Sequence, residues 1–224
     1  EKLGFIGLGQ MGGPMAKNIA KNGFDLSVYD KAGTQERAPD HAKIIGDTAA
    51  LASGCDTIFL SVPDGKATLS VINEIININD RRVKVVIDLS TIGPVAAREA
   101  GARCKEVGIT YMDAPVSGGQ AGAKAGTISI MIAGDKATKA AHDEILHAFA
   151  KNPFHVGDEP GQGQTLKILN NFLSGTAMVA STEAILYGLS QSLDMQTMLN
   201  VLNVSTGQNT ATNDKFPNRI LTGT

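Results

Sequence analysis

The segment Gly7-Leu8-Gly9-Gln10-Met11-Gly12 constrains the fold more than any other in this chain. It has the spacing G-x-G-x-x-G and stands directly after a short apolar run, residues 3–8, and directly before a helix-compatible stretch, residues 14–22. In a strand–turn–helix unit each glycine has its own work. Gly7 allows the tight turn, Gly9 lets backbone approach a pyrophosphate, and Gly12 lets helix and strand pack closely. Leu8, Gln10 and Met11 complete the loop, and the helix start offers unpaired N–H groups and a positive dipole end to an anion. Asp30 closes the second strand, residues 26–30, about 18 residues past Gly12, where a carboxylate accepts hydrogen bonds from both ribose hydroxyls of an adenosine. It repels a 2′-phosphate there, so NAD is favoured over NADP, and Lys31 beside it keeps the preference moderate.

The rest of the first two-thirds repeats the same grammar. Short Val- and Ile-rich runs at 57–62 and 83–89, and further ones at 109–113 and 127–133, read as buried strands. Helix-compatible stretches lie between and after them at 34–41, 47–53, 66–77, 95–107 (after Pro94) and 136–151 (after Asp135, a plausible N-cap). Strands alternating with helices predict an α/β fold of Rossmann type, a doubly wound and mainly parallel sheet. From Gln164 the pattern changes: Leu166, Leu169, Leu173, Ala177, Ala180 and Ala184 recur at spacings of three and four, which predicts one long helix over 164–193. A second helix is predicted over 195–204, with Gly207 as its stop. The boundary falls near Gly161–Gly163, giving a dinucleotide-binding domain at 1–162 and a long helix with the start of an all-α domain at 163–224.

Composition narrows the function classes. Of 224 residues 42% are hydrophobic, enough for a sizeable core, and 20 Lys and Arg face 22 Asp and Glu, a net charge of −2 without a basic block. Nucleic acid is excluded as a partner on that ground. Cys55 and Cys104 stand far apart with no C-x-x-C or His-rich spacing, so neither a disulfide framework nor a metal site is expected, and two buried thiols fit a reducing compartment. No contiguous apolar run approaches the roughly 18 residues of a bilayer span, and no signal-peptide pattern leads the chain. No membrane partner and a cytoplasmic location are the expectation.

Three segments carry candidate chemistry. Ser117, Gly118 and Gly119 follow a strand within Asp113-Ala-Pro-Val-Ser-Gly-Gly119, so a hydroxyl and two adjacent N–H groups face the carboxyl edge of the sheet as a pocket for a small carboxylate substrate, or else form a plain polar loop. Lys167, Asn170 and Asn171 share one face of the long helix. A lysine near a helix N-terminus and partly buried has its pKa lowered toward neutral, as general acid/base work requires, and Gly161 and Gly163 suit close approach of something to this face. Val62 and Pro63, at the end of the strand over 57–62, are counted with the cofactor-binding residues. Thr91 either lines the nicotinamide site or caps the next helix. His41, His142, His147 and His155 form no ligand-like cluster.

Taken in order along the chain, the segments 4–16, Asp88-Leu-Ser-Thr-Ile92, Asp113-Ala-Pro-Val-Ser-Gly-Gly119, Gly126-Thr127 and Lys167-Ile-Leu-Asn-Asn171 resemble the β-hydroxyacid dehydrogenases, the family of 3-hydroxyisobutyrate dehydrogenase and tartronate semialdehyde reductase. The resemblance implies that Gly7, Gly9 and Gly12 bind the dinucleotide, that Ser117, Gly118 and Gly119 hold the substrate carboxylate, that Lys167 is the acid/base and that Asn171 orients the substrate. It implies hydride transfer between NAD and a small, 3-hydroxyisobutyrate-like acid. The related 6-phosphogluconate dehydrogenases share the glycine loop and the Ser-Gly-Gly motif, but there a His precedes the final Asn, and position 170 here is Asn. A non-catalytic cofactor-binding module is the other alternative, and Lys167 argues against it. The family continues through further helices, whereas this sequence ends at Thr224, so an incomplete all-α layer is expected here, and a homo-dimer or homo-tetramer at full length.

Overall fold

A computed structural model describes residues 1–223. Two compact units divide the chain, Glu1–Lys167 and Ile168–Thr224. The first is built on a nine-stranded sheet whose path runs β3-β2-β1-β4-β5-β6-β8-β7, with β9 pairing β8. Its strands are β1 (Leu3–Ile6), β2 (Leu26–Tyr29), β3 (Lys43–Ile44), β4 (Thr57–Leu60), β5 (Val85–Asp88), β6 (Thr110–Asp113), β7 (Val116–Ser117), β8 (Ile128–Ala133) and β9 (Ala150–Gly157). Neighbours from β3 to β6 are parallel, β8 runs antiparallel to β6 and β7, and β9 is parallel to β8. This is the expected Rossmann-type, mainly parallel sheet.

The central strands are buried on both faces, which is why they read as continuous apolar runs rather than alternating ones. One core gathers Leu3, Phe5, Phe59, Ile87 and Phe149 with Met15, Ala16 and Ile19 of helix α1 (Gly12–Lys21). The other gathers Ile6, Ile58, Leu60 and Val86 with residues of α2 (Thr48–Gly54), α3 (Gly65–Ile76) and α4 (Pro94–Glu106). In α1 the buried positions Met15, Ala16, Ile19 and Ala20 recur at helical spacing. Complete burial of a side chain such as Ile19 is worth about 1.5–3 kcal/mol.

Several local expectations need correction. Residues 34–41 form no helix but two successive turns, one closed by the N–H groups of Arg37 and Ala38 on the Thr34 carbonyl and one by the Ala42 N–H on the Pro39 carbonyl. Proline at position 39 removes a donor and disfavours the α region for Ala38, which ends the first turn before it can extend. Residues 136–151 split at His142 into α6 (Lys136–Ala141) and α7 (Asp143–Phe149), and the chain then turns into β9, whose Pro153 masked the strand. The Asp135 cap is present, its carboxylate accepting the Thr138 N–H at 2.6 Å. Short α5 (Gly119–Ala125) and the edge strand β3 had no sequence signal of their own.

Helix α8 runs 29 residues, Gln162–Ser190, and α9 spans Met195–Leu202. The second unit packs Ile185, Leu199, Ala211 and Phe216 together and ends in a π-helical segment, Ala211–Ile220, that was not expected. Contrary to the expectation of no membrane-length segment, α8 holds an 18-residue window with a mean hydropathy of 1.2, enough by length and composition to cross a bilayer. Its Asn, Gly, Ser and Thr residues break the contiguous apolar run, so the length shows only in the average over that window. Leu169, Phe172, Leu173, Val179, Leu186 and Tyr187 along it are exposed.

Candidate active site

The strand order reverses direction between β1 and β4, and in open α/β sheets ligands lie outside the carboxyl ends of the strands at such a point. The glycine loop leaves β1 there and the Val62-Pro63 turn leaves β4. Gly7 has φ +94°, and a Cβ on it would press into the backbone of Ser61; a Cβ on Gly12 would collide with the Gly7 carbonyl. Both are glycine for reasons of folding. Gly9 differs: its backbone is ordinary and a Cβ there would meet nothing within 4 Å, so packing within the protein does not demand glycine at that point.

Helix N-termini sharpen the contrast. Asp47, Asp64, Asp135 and Asp194 each cap a helix through a side-chain bond to a backbone N–H. Helices α1, α4 and α5, which begin at Gly12, Pro94 and Gly119, have no side-chain cap. An open cradle at Gly9 below an uncapped α1 fits the phosphates of a dinucleotide. Asp30 closes the same loop: its Oδ2 accepts the Leu8 N–H at 2.6 Å and its Oδ1 the Ala32 N–H at 2.7 Å. Arg37, which sequence reasoning missed, stands 3.4 Å from Asp30 Oδ2. Gln10 and Met11 lie at the surface of the turn, exposed and half-buried.

The Ser-Gly-Gly segment is not a loose polar loop. Val116 and Ser117 pair with Ile130 and Ser129, and Gly118 and Gly119 then turn with φ +132° and +63° into α5. Gln120 Nε2 donates to Gln10 Oε1 at 2.5 Å, and Asn18 Nδ2 to the Ala123 carbonyl at 2.8 Å, so this segment is tied to the glycine loop and to α1. At β5, Ser90 Oγ accepts the Val62 N–H at 2.9 Å. Thr91 is exposed and does not cap α4, whose N-cap is Gly93. Of its two readings, capping is excluded.

Lys167 lies in the second turn of α8, half-buried, and burial pulls its ammonium pKa below the ordinary lysine value. The direction is as expected, with desolvation as the cause. Asn170 and Asn171 follow on the same continuous helix. The expected role of Gly161 and Gly163 is corrected: the close approach they permit is to the protein itself. A Cβ on Gly161 would stand 2.9 Å from the Pro94 carbonyl oxygen, and one on Gly163 would stand 2.8 Å from Asp113 Oδ2. Beneath them, burial pushes the Asp113 carboxyl up to about 6, against the N–H groups of Gly161 and Gln164 that it accepts, both at 2.7 Å. Asp88, also buried and raised, accepts from Ser90 N–H, Thr68 and Tyr111. The signal overlooked was the polar residue Gln164, three positions before the lysine, directly after Gly163 and fully buried.

A parallel sheet with this loop at its switch point and a carboxylate closing β2 defines a dinucleotide-binding α/β protein. Residues 2–157 match the family model described as the NAD binding domain of 6-phosphogluconate dehydrogenase, and residues 161–224 match that described as NAD-binding of NADP-dependent 3-hydroxyisobutyrate dehydrogenase. The chain is 34% identical to 2-(hydroxymethyl)glutarate dehydrogenase of Eubacterium barkeri, over 99% of this chain and 75% of that protein. It is also 34% identical to the mitochondrial 3-hydroxyisobutyrate dehydrogenase of Rattus norvegicus, over 92% of this chain but 62% of that protein. The solved 3-hydroxyisobutyrate dehydrogenase of Mycobacterium tuberculosis with L-serine superposes with a TM-score of 0.89 at 29% identity, covering 97% of this chain and 75% of that one. The chain belongs to the β-hydroxyacid dehydrogenase family, oxidoreductases that use a nicotinamide dinucleotide to act on CH–OH groups.

Proposed function

We propose that the full-length protein oxidises a small acid bearing a hydroxymethyl group on the carbon next to its carboxylate, with NAD preferred over NADP. The acids in the names of the three relatives, 3-hydroxyisobutyrate, 2-(hydroxymethyl)glutarate and L-serine, share that unit. The observation that carries the reading is Lys167, a half-buried lysine of lowered pKa on the helix that starts from the carboxyl edge of the dinucleotide-binding sheet.

The dinucleotide supplies the hydride acceptor in oxidation and the donor in reduction. The protein's part is to hold and to move a proton. Gly7 to Gly12 with Asp30 hold the dinucleotide, with Val62, Pro63 and Thr91 along its edge. Ser117 and the N–H groups of Gly118 and Gly119 hold the substrate carboxylate, with Asn170 adjoining. Lys167 Nζ, as the neutral amine, takes the hydroxyl proton as the C–H bond gives up its hydride, and returns it in reduction; Asn171 orients the hydroxyl. Asp30 disfavours a 2′-phosphate and accepts ribose hydroxyls, while Arg37 and Lys31 beside it moderate that preference.

The same reading takes α8 as an internal connection rather than a bilayer span, since its first turn is fixed by buried polar contacts to Asp113. A cytoplasmic location and a homo-dimer or homo-tetramer belong to it as well, the apolar side chains exposed along α8 calling for cover. The decisive experiment is an assay of NADH production by full-length enzyme with 3-hydroxyisobutyrate, glycerate, L-serine, L-threonate and 4-hydroxybutyrate. Turnover of an acid with the hydroxymethyl unit is expected; no NAD- or NADP-dependent turnover of any of them would sink the proposal.

A further inference from the structure

Gln164 is fully buried, and nothing above assigns it a role. Its Oε1 accepts the N–H groups of Ile92 at 2.9 Å and Gly93 at 3.1 Å, its Nε2 donates to the Ser90 carbonyl at 2.9 Å, and its own backbone N–H donates to Asp113 Oδ2 at 2.7 Å. A neutral primary amide suits this place because it accepts twice and donates without burying a charge. Ser90 continues the chain, its Oγ accepting from Val62 and its N–H donating to Asp88. Hydrogen bonds therefore run unbroken from the turn after β4, through the loop after β5, to the first turn of α8.

We infer that Gln164 is a positioning residue for Lys167, three places further along the same helix. The inference rests on the reading of Lys167 as the acid/base. Asp113 grips the helix start at the N–H groups of Gly161 and Gln164, so both attachments meet on one carboxylate and the helix keeps some freedom to turn about that point. Gln164 adds a second attachment, to a different loop, and removes that freedom. Slipping by one residue rotates a helix face by about 100°, which takes a lysine off its target. A displacement of about 1 Å in a reacting group can cost about 10²-fold in rate. Gly163 lets this turn lie directly on the end of β6, where no Cβ has room. The ionisable groups around the helix start are Asp113, Asp88 behind it, and Arg98 against Gly161.

The test uses full-length protein carrying Gln164→Ala or Gln164→Glu. Two readouts are taken: steady-state kinetics across pH, and acetylation of Lys167 by acetic anhydride across pH, followed by mass spectrometry, which needs no turnover. Gln164→Ala is expected to lower kcat about 10- to 100-fold, raise the KM for NAD by a smaller factor through the loosened loop that carries Thr91, and move the Lys167 titration up toward an ordinary lysine. Gln164→Glu keeps the acceptors for Ile92 and Gly93 but, once ionised, sets a carboxylate against the Ser90 carbonyl and breaks that attachment, so it moves the titration in the same direction; being nearly isosteric, it carries both readouts if the alanine variant does not fold. Variants that lose thermal stability while kcat, pH profile and acetylation titration stay as in wild type would make Gln164 a structural residue only and overturn the inference. Wild-type protein inactive on every acid would instead sink the acid/base reading, with the acetylation arm still deciding whether Gln164 sets the surroundings of Lys167.

Discussion

Leu8 donates its backbone N–H to Asp30 Oδ2 at 2.6 Å, so the glycine loop after β1 and the carboxylate after β2 form one hydrogen-bonded unit. Asp30→Ala is therefore expected to act twice, removing the acceptor for the ribose hydroxyls and loosening the loop. A hydrogen bond to a charged group is worth about 1.5–3 kcal/mol, so kcat/KM for NAD should fall about 10- to 100-fold, and kcat/KM for NADP by less. The wild type should use NAD better than NADP; equal kcat/KM values for the two would count against the role given to Asp30.

Lys167→Ala should lower kcat by about 10²–10⁴-fold while a direct binding measurement shows affinity for NAD nearly unchanged. Lys167→Arg should not restore the rate, because a guanidinium keeps its proton at any accessible pH. Oxidation needs the neutral amine, so its rate should rise with pH and level at a pH below the ordinary lysine range, since burial lowers this pKa. Reduction needs the ammonium and should fall over the same interval. A rate and profile unaltered by Lys167→Ala would move the proton carrier elsewhere.

Asp113 predicts an unusual pH dependence of stability. Its carboxyl is pushed up to about 6 in the folded protein against an ordinary 3.8, so between those values the folded state holds more protons than the unfolded one. By linkage its contribution improves as pH falls through 6 and is complete below 3.8, the reverse of a salt-bridged carboxylate. Urea unfolding of wild type and Asp113→Asn at pH 4.5 and pH 7.5 should show the wild type gaining on the variant at the lower pH. An unchanged difference would contradict the buried, charged carboxylate described here.

Gly119 has φ +63° and open space where a Cβ would stand. Gly119→Val should therefore cost about 1–2 kcal/mol in backbone strain and place its side chain where the substrate carboxylate is to bind. The expected result is a rise in substrate KM of tenfold or more with the NAD KM little changed. Both constants unchanged would show that the segment binds nothing.

Full-length protein should sediment as a dimer or larger at micromolar concentration, because Phe172, Leu173, Val179 and Leu186 stand exposed along α8. A monomer under those conditions would contradict the proposed oligomer.

The sequence disclosed what local chemistry determines. Gly7 and Gly12 stand where they must, Asp135 caps its helix, and the central strands announce themselves by continuous apolar runs. What escaped depends on partners far along the chain. β9 carries Pro153 and no clean alternation, and is a strand because β8 lies beside it. Gln164 reads as one more polar residue at a helix start until Ser90, Ile92 and Gly93 are seen around it, some 70 positions away. Asp113 likewise drew notice for the Ser-Gly-Gly that follows it, although its own carboxylate holds the start of α8.

The empty space beside Gly9 separates two kinds of selection. At positions 7 and 12 a side chain breaks the turn, and any screen for folded protein rejects it. At position 9 a larger residue has room and an ordinary backbone to adopt, so a chain carrying Gly9→Val is expected to express, melt and crystallise like its parent while being deaf to its cofactor. Stability surveys would pass over position 9, and only a cofactor-binding measurement would register the change.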